Sequence, residues 1–205
     1  MRFVELNPDD DFEFGDFNNK KIGLCMSVSK TPPRFQIPRM YMPFGVSGFT
    51  PAYGPTKYNV DFSMKGWDEE SNYVNRFYKF VRSMEDKLVQ HVTDQSIEIF
   101  GKQLSREEIH GMFNSNIKES SDREPKFRLK IDNNTKIFDV NDADITTELD
   151  NRLYSRHSGV AMVELAGVYF MNKMFGITWK MSQMKTYEPQ RLKGFQFLVT
   201  DDQEC

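Results

Sequence analysis

Cysteine is scarce in this chain, with Cys25 and Cys205 the only two in 205 residues. One stands at the last position, so a structural disulfide is not expected and the composition suits a reducing compartment. Histidine is also sparse. With three in all and no Cys or carboxylate cluster at metal-ligand spacing, His91 and His110 read as packing or surface residues. No apolar run approaches the roughly 18 residues of a membrane span. The 28% of charged residues and a mean hydropathy of −0.62 lead us to expect a soluble chain. The first residues, MRFVELNPDDDFEFGDF, are acidic and lack an apolar stretch, so no secretory signal is expected. Phosphate-binding and dinucleotide-binding glycine loops, H-E-x-x-H, C-x-x-C and the G-x-S-x-G elbow are all missing. Asp9-Asp10-Asp11 and Asp201-Asp202 fall in terminal segments unsuited to a pre-organised site, and Asp142 with Asp144 reads as solvated loop. Binding without catalysis, and without a cofactor, is the expectation.

Aromatics, by contrast, are plentiful: 14% of residues, 18 of them Phe. Charge is unevenly spread. The overall balance is −3, which at first argues against a nucleic-acid partner. Residues 20–65 nevertheless carry seven bases against one acid, 125–140 four against two, and 159–200 five against two. The acidity sits in residues 1–19, in the helical middle and in the last five residues. A basic sheet with acidic appendages fits that pattern, and scattered solvated charge is the bland alternative.

The stretch Gly159–Tyr187 organises the chain. It holds two β-rich runs separated by Asn172-Lys173. In the second run Phe175, Ile177, Trp179 and Met181 alternate with Gly176, Thr178, Lys180 and Ser182, the period of a half-buried strand, and this places Trp179 in the core. Residues 1–19 read as a mobile acidic arm, unless Phe3, Val4, Phe12, Phe14 and Phe17 dock it. Residues 20–29 read as a first strand through Ile22, Leu24, Met26 and Val28. Residues 30–56 hold six of the nine prolines and so form an edge strand or an extended loop. Residues 57–65 alternate cleanly. From Asn72 to about Phe100 the spacing turns helical, with Phe77, Val81, Met84, Leu88, Val92, Ile97 and Ile99 on one stripe and Gly101 as a stop. Ser105 to Glu108 has capping-box spacing before a second helix. Lys126 to Ile131 is a strand, Asn133-Asn134 a turn, and Lys136 to Val140 its returning partner in a hairpin. Residues 141–158 read as a polar, acidic loop.

Short strands without β-α-β alternation, interrupted once by helices, predict a mainly β (α+β) fold. We expect an OB-fold-like Greek-key barrel with a long helix between its middle strands. The expected domain spans 20–200, with the helical insertion at about 70–118, an acidic arm at 1–19 and a short acidic tail at 201–205.

Several pieces carry a family likeness: Tyr58-Asn59-Val60-Asp61-Phe62-Ser63, Phe100-Gly101-Lys102, Ile117-Lys118-Glu119-Ser120 and the strand from Pro125 to Ile131. Phe175-Gly176-Ile177-Thr178-Trp179-Lys180 with Gln183-Met184-Lys185, and Leu192-Lys193-Gly194-Phe195, complete the set. In their order the chain resembles the single-stranded DNA-binding proteins of nucleocytoplasmic large DNA viruses, a family similar to the T-seven-type phage single-stranded DNA-binding protein. That resemblance implies single-stranded DNA binding in viral replication, repair or recombination, at replication sites in the host cytoplasm or nucleus. It also implies an acidic C-terminal tail that competes for the groove and recruits replication proteins such as a DNA polymerase. Here Asp201, Asp202 and Glu204 are followed by Cys205 rather than an aromatic residue, and the N-terminal acids are candidates for the same role.

The expected contacts are cations on polar strand faces: Lys57, Lys65, Lys126, Arg128, Lys130, Lys180 and Lys185. Lys30, Arg34 and Arg39 join them from the proline-rich segment, with Tyr41, Phe44 and Tyr53 as stacking platforms. Those aromatics equally suit a surface loop pinned to the core. Tyr169 and Lys173, at the hairpin end, can reach DNA or cap the turn. RNA in place of DNA, a homodimer, and a non-catalytic protein-interaction or virion module on the same barrel remain open readings.

Overall fold

The computed structural model describes residues 1–189. Its strands are β1 (Phe12–Asn18), β2 (Lys21–Met26), β3 (Arg34–Gln36), β4 (Met40–Tyr41), β5 (Val46–Phe49), β6 (Lys57–Ser63), β7 (Ile117–Lys118), β8 (Lys126–Ile131), β9 (Lys136–Phe138), β10 (Ser158–Met171) and β11 (Met174–Tyr187). The helices are α1 (Pro8–Asp11), α2 (Tyr73–Asp94), α3 (Ser96–Phe100) and α4 (Arg106–Met112). The fold is the expected mostly β, OB-like barrel, with α2, α3 and α4 between β6 and β7 and the short α1 ahead of β1.

The long hairpin β10–β11 is built as its sequence predicts. Asn172 and Lys173 take φ of 52° and 64°, the left-handed pair that a two-residue hairpin turn requires. From there the ring closes: β10 pairs with β3 and β4, β4 with β6, β6 with β8, and β8 returns in parallel to β11. Closure removes the exposed edges that short strands would otherwise leave.

Inside, Trp179 meets Phe35, Phe77 and Phe127 nearly edge-on, with ring centroids 5.8, 6.3 and 5.0 Å away. Trp179 is core, as its strand period predicts. Phe77 comes from α2, whose buried stripe of Phe77, Val81, Met84, Leu88 and Val92 follows the helical spacing. The aromatic abundance is therefore largely explained by packing between a small barrel and a long helix.

Several expectations need correction. Residues 1–19 are not a free arm, because Phe3, Phe12 and Phe14 are buried and β1 pairs with β2. Lys87 reinforces this docking by donating to the carbonyls of Pro8, Asp9 and Phe12 at 3.0, 2.6 and 2.7 Å. Val28 leaves the first strand and is 93% exposed in a turn. The long helix starts at the cap Asn72, whose side chain accepts from Val74 N at 2.9 Å, and stops at Gln95. The separate α3 that follows turns Ile97 to solvent. Gly101 does end α3, at φ 74°. The segment Lys136–Phe138 does not fold back on β8. Buried Thr135 donates to Met181 O at 2.9 Å, carrying the chain across to pair in parallel with β11. The segment 190–205, with the tail and Leu192-Lys193-Gly194-Phe195, lies outside the described residues.

Candidate nucleic-acid interface

Alternation along β6 and β8 turns Val60, Phe62, Phe127, Leu129 and Ile131 inward. The opposite face carries Lys57, Asn59, Asp61, Lys126, Arg128 and Lys130. The ladder places Asn59 beside Lys130, Asp61 beside Arg128 and Ser63 beside Lys126. Directly opposed residues share a face. One lateral row therefore runs Tyr41, Ser63, Lys126 and Lys118, and another runs Ser47, Asn59, Lys130 and Lys180. At the far end Phe49, 64% exposed, stands opposite Lys57.

The cations on this face differ in what holds them. Arg128 forms a two-pronged pair with Asp61 at 2.7 and 2.8 Å, which raises its pKa further. Lys180 pairs with Asp132 at 2.9 Å. Burial alone would raise the Asp132 carboxyl, but Lys180 and the Asn134 amide outweigh it and hold the group low. Lys126 instead lies over the Phe44 ring, 5.1 Å from its centroid, and Phe44 is 51% exposed. Lys57, Lys65, Lys126 and Lys130 make no ion pair among the described residues. Arg39 sits 3.8 Å above the Tyr187 ring and donates to Ser158 Oγ at 3.0 and 3.1 Å. A groove joins Arg39, Tyr41, Ser63, Lys65 and Glu124. Glu124 tempers this groove: its own backbone amide and the Ser63 hydroxyl keep it ionised.

The structure thus brings Arg39, Tyr41, Phe44, Lys57, Lys65, Lys126, Arg128, Lys130 and Lys180 onto one continuous side. Lys30 is elsewhere, and Arg34 lies where the second row runs on round the barrel, Lys180 standing opposite Glu164 and Glu164 opposite Arg34. Arg34 pairs with Glu164 at 2.6 Å on β3–β10, three strands round the ring from Lys130, and Lys30 pairs with Glu13. Lys185 lies past a bulge at Ser182, which also turns Thr186 inward, and it pairs with Asp142 at 2.8 Å. Tyr53, 94% exposed, tips the β5–β6 loop. Tyr169 covers Gly176, where an added Cβ would meet the Asn114 carbonyl, and its hydroxyl accepts from Asn114 Nδ2 at 2.7 Å. Lys173 lines a different cavity, with Phe17, Lys20 and Phe100.

Sequence reasoning missed Lys118, Tyr187, Arg152 and Arg156. Lys118 is half-buried; burial and then the Arg128 charge lower its ammonium pKa. It donates to Asn114 Oδ1 at 2.8 Å and to Ser115 O. That segment is held in turn by Glu85, a buried carboxylate on α2 that accepts from Ser115 Oγ at 2.7 Å and Asn116 N at 3.2 Å. His91 faces the Gly15 carbonyl at 3.0 Å and packs at a tilt against the Phe14 ring, the packing role its sequence context predicts. Among the described residues no group of three or more His, Cys, Asp and Glu is gathered as a metal site, and no helix is long and apolar enough to cross a membrane.

Residues 68–201 match the model of a family described as "Family of unknown function (DUF5871)". The chain belongs to that family. No curated protein matches it in sequence. Among solved structures it is similar to gp2.5, "a Single-Stranded DNA Binding Protein Encoded by Bacteriophage T7". The TM-score is 0.53 at 10% identity, over 81% of this chain and 92% of that one. That likeness is one of fold. A fainter likeness, TM-score 0.46 at 8% identity, is to the single-stranded DNA-binding protein from bacteriophage Enc34 in complex with ssDNA, over 88% of this chain and 97% of that one.

Proposed function

We propose that this protein binds single-stranded DNA without sequence preference, on the outward face of β6 and β8. The observation that carries the reading is the juxtaposition on one barrel face of Lys126 and Lys130, which make no ion pair among the described residues, with exposed Tyr41, Phe44 and Phe49. Ammonium groups free of carboxylates are available to phosphates, and exposed rings offer a stacking surface to any base. Every nucleotide has both a phosphate and a π-face, so such a surface does not select sequence. In this fold the same two central strands and the loops beside them are the common oligonucleotide platform. The fold shared with gp2.5, a single-stranded DNA-binding protein, supports the assignment, as does the resemblance of sequence pieces to large-DNA-virus binding proteins. On this reading the protein serves viral replication, repair or recombination at the sites where viral DNA is copied, without catalysis, and a DNA polymerase is a partner to test.

The test is fluorescence anisotropy of a labelled oligo-dT at two salt concentrations, with duplex and oligo-U of equal length as competitors. Binding that weakens steeply with salt and resists duplex supports the reading. Folded protein that ignores oligo-dT at low salt overturns it and favours the protein-interaction module, whose affinity would be salt-tolerant.

A further inference from the structure

Beside the β6–β8 face, an open groove of about 590 Å³ runs between β5 and the segment before β10, lined by Phe44, Ser47, Asn151, Arg152, Ser155 and Arg156 among others. Its volume falls within the range of ligand sites. The wall carrying the two arginines is built rather than loose. Arg152 N donates to Val46 O and Arg156 N to Met42 O, each at 2.8 Å, and Asn151 Oδ1 accepts from Gly48 N at 2.7 Å. Gly45, at φ 68°, lies so close to this wall that a Cβ there would run into the carbonyl of Leu153.

Within that wall Arg152, Tyr154 and Arg156 have φ of 67°, 60° and 64°. Residues other than glycine, asparagine and aspartate seldom adopt this left-handed conformation, because the Cβ crowds the backbone. Glycine would satisfy the backbone at 152 and 156 with less strain. Both arginines are exposed, and neither side chain has an ion pair or hydrogen bond among the described residues. A costly backbone that keeps two uncommitted guanidinium groups in one groove points to a use for the side chains. Phe44 links the groove to the first face: one ring both lines the groove and receives the Lys126 ammonium.

We infer that this groove is a second phosphate-binding subsite. A single strand leaving the β6–β8 face passes over Phe44, which stacks a base, and places successive phosphates against Arg152 and Arg156. The inference rests on the single-stranded DNA reading and lengthens its footprint. Arg–phosphate pairing needs no chemistry beyond charge-assisted hydrogen bonds, which guanidinium groups form in two-pronged geometry.

The variant R152G/R156G tests it in the full chain, because glycine fits both backbone positions. We expect a Tm equal to or above that of the parent, together with about tenfold weaker binding of a long oligo-dT at moderate salt. Losing two phosphate contacts should also make the plot of log K against log salt shallower by about 1.4. A short oligo-dT that fills only the β6–β8 face should bind both proteins alike. Unchanged affinity and slope for the long oligonucleotide, while K126E/K130E weakens binding by about 100-fold, overturns the second subsite and leaves the first reading standing. If the parent protein binds no oligo-dT, both fall. Should the glycine pair melt early, R152N/R156N, whose side chains tolerate the same backbone, decides between the outcomes.

Discussion

The cations round the barrel differ in whether the protein already holds them. Arg34 on β3 is committed to Glu164 of β10, and Lys30, after β2, to Glu13 of β1, so both of these positive charges meet a counter-charge within the protein. On the β6–β8 side Lys57, Lys65, Lys126 and Lys130 make no ion pair among the described residues, and Lys126 leans on an aromatic ring. Charge that is present differs from charge that is available. A phosphate approaching Arg34 must compete with a carboxylate already in contact, whereas one approaching Lys126 meets no carboxylate in ion-pair contact among the described residues.

The sharpest way to break this contrast is charge reversal at Lys126 and Lys130, which spares the Arg128–Asp61 pair. K126E/K130E should weaken oligo-dT binding by about 100-fold, taking roughly 1.4 kcal/mol for each contact, with thermal stability nearly unchanged. Anisotropy read beside circular dichroism checks both halves. Removing the ring in F44A should cost roughly 1–2 kcal/mol of binding, near the lower end for a stacked base. Freeing a committed cation works in the opposite sense: D132N releases Lys180 and should tighten binding by about threefold while steepening its salt dependence. R34E should change affinity by less than about twofold; a loss as large as that of K126E/K130E would mean that the strand wraps the whole barrel.

The smallest expected effect concerns the support behind the face. Burial pushes the Glu85 carboxyl above its ordinary value, with Ser115, Arg82 and Asn116 acting against that shift. An acid raised on folding is the one whose ionised form the native state disfavours. Its stability cost is therefore absent at low pH and develops as pH rises through the folded value. E85Q keeps an acceptor for Ser115 and Asn116 without the charge. It should melt at a higher temperature than the parent at pH 8 and at the same temperature near about pH 4. Thermal melts across that range decide the sign.

What could be read from sequence follows how local the controlling physics is. Lys126–Ile131 and Lys57–Ser63 were legible because strict alternation assigns a face to every residue without knowledge of the partner strand. The Asn172-Lys173 turn was legible because two residues suffice to make it. Arg34 was misplaced because its fate depends on Glu164, 130 residues away, and no period in the chain announces that register. The parallel pairing of β9 with β11 was hidden for the same reason. The alternation read through Ser182 does not carry on to Tyr187, because a bulge at Ser182 shifts it by one and turns Met184 and Thr186 inward. Arg152 and Arg156 were overlooked in a segment counted as acidic: averaging charge over 141–158 buried two arginines that the fold lifts into a groove.

The parallel closure of β8 onto β11 has a consequence for the birth of the protein. A chain emerging from the ribosome can form β1–β2, β5–β6 and α2 early, since their contacts are near neighbours in sequence. The ring, however, waits for β10 and β11, which supply the partners of β2, β3, β4, β8 and β9. Until residue 187 has cleared the exit tunnel, the edges of β3 and β8 are open to wrong partners. Folding is thus governed by the last-made hairpin, whose tight turn lets it assemble quickly and then capture the waiting strands.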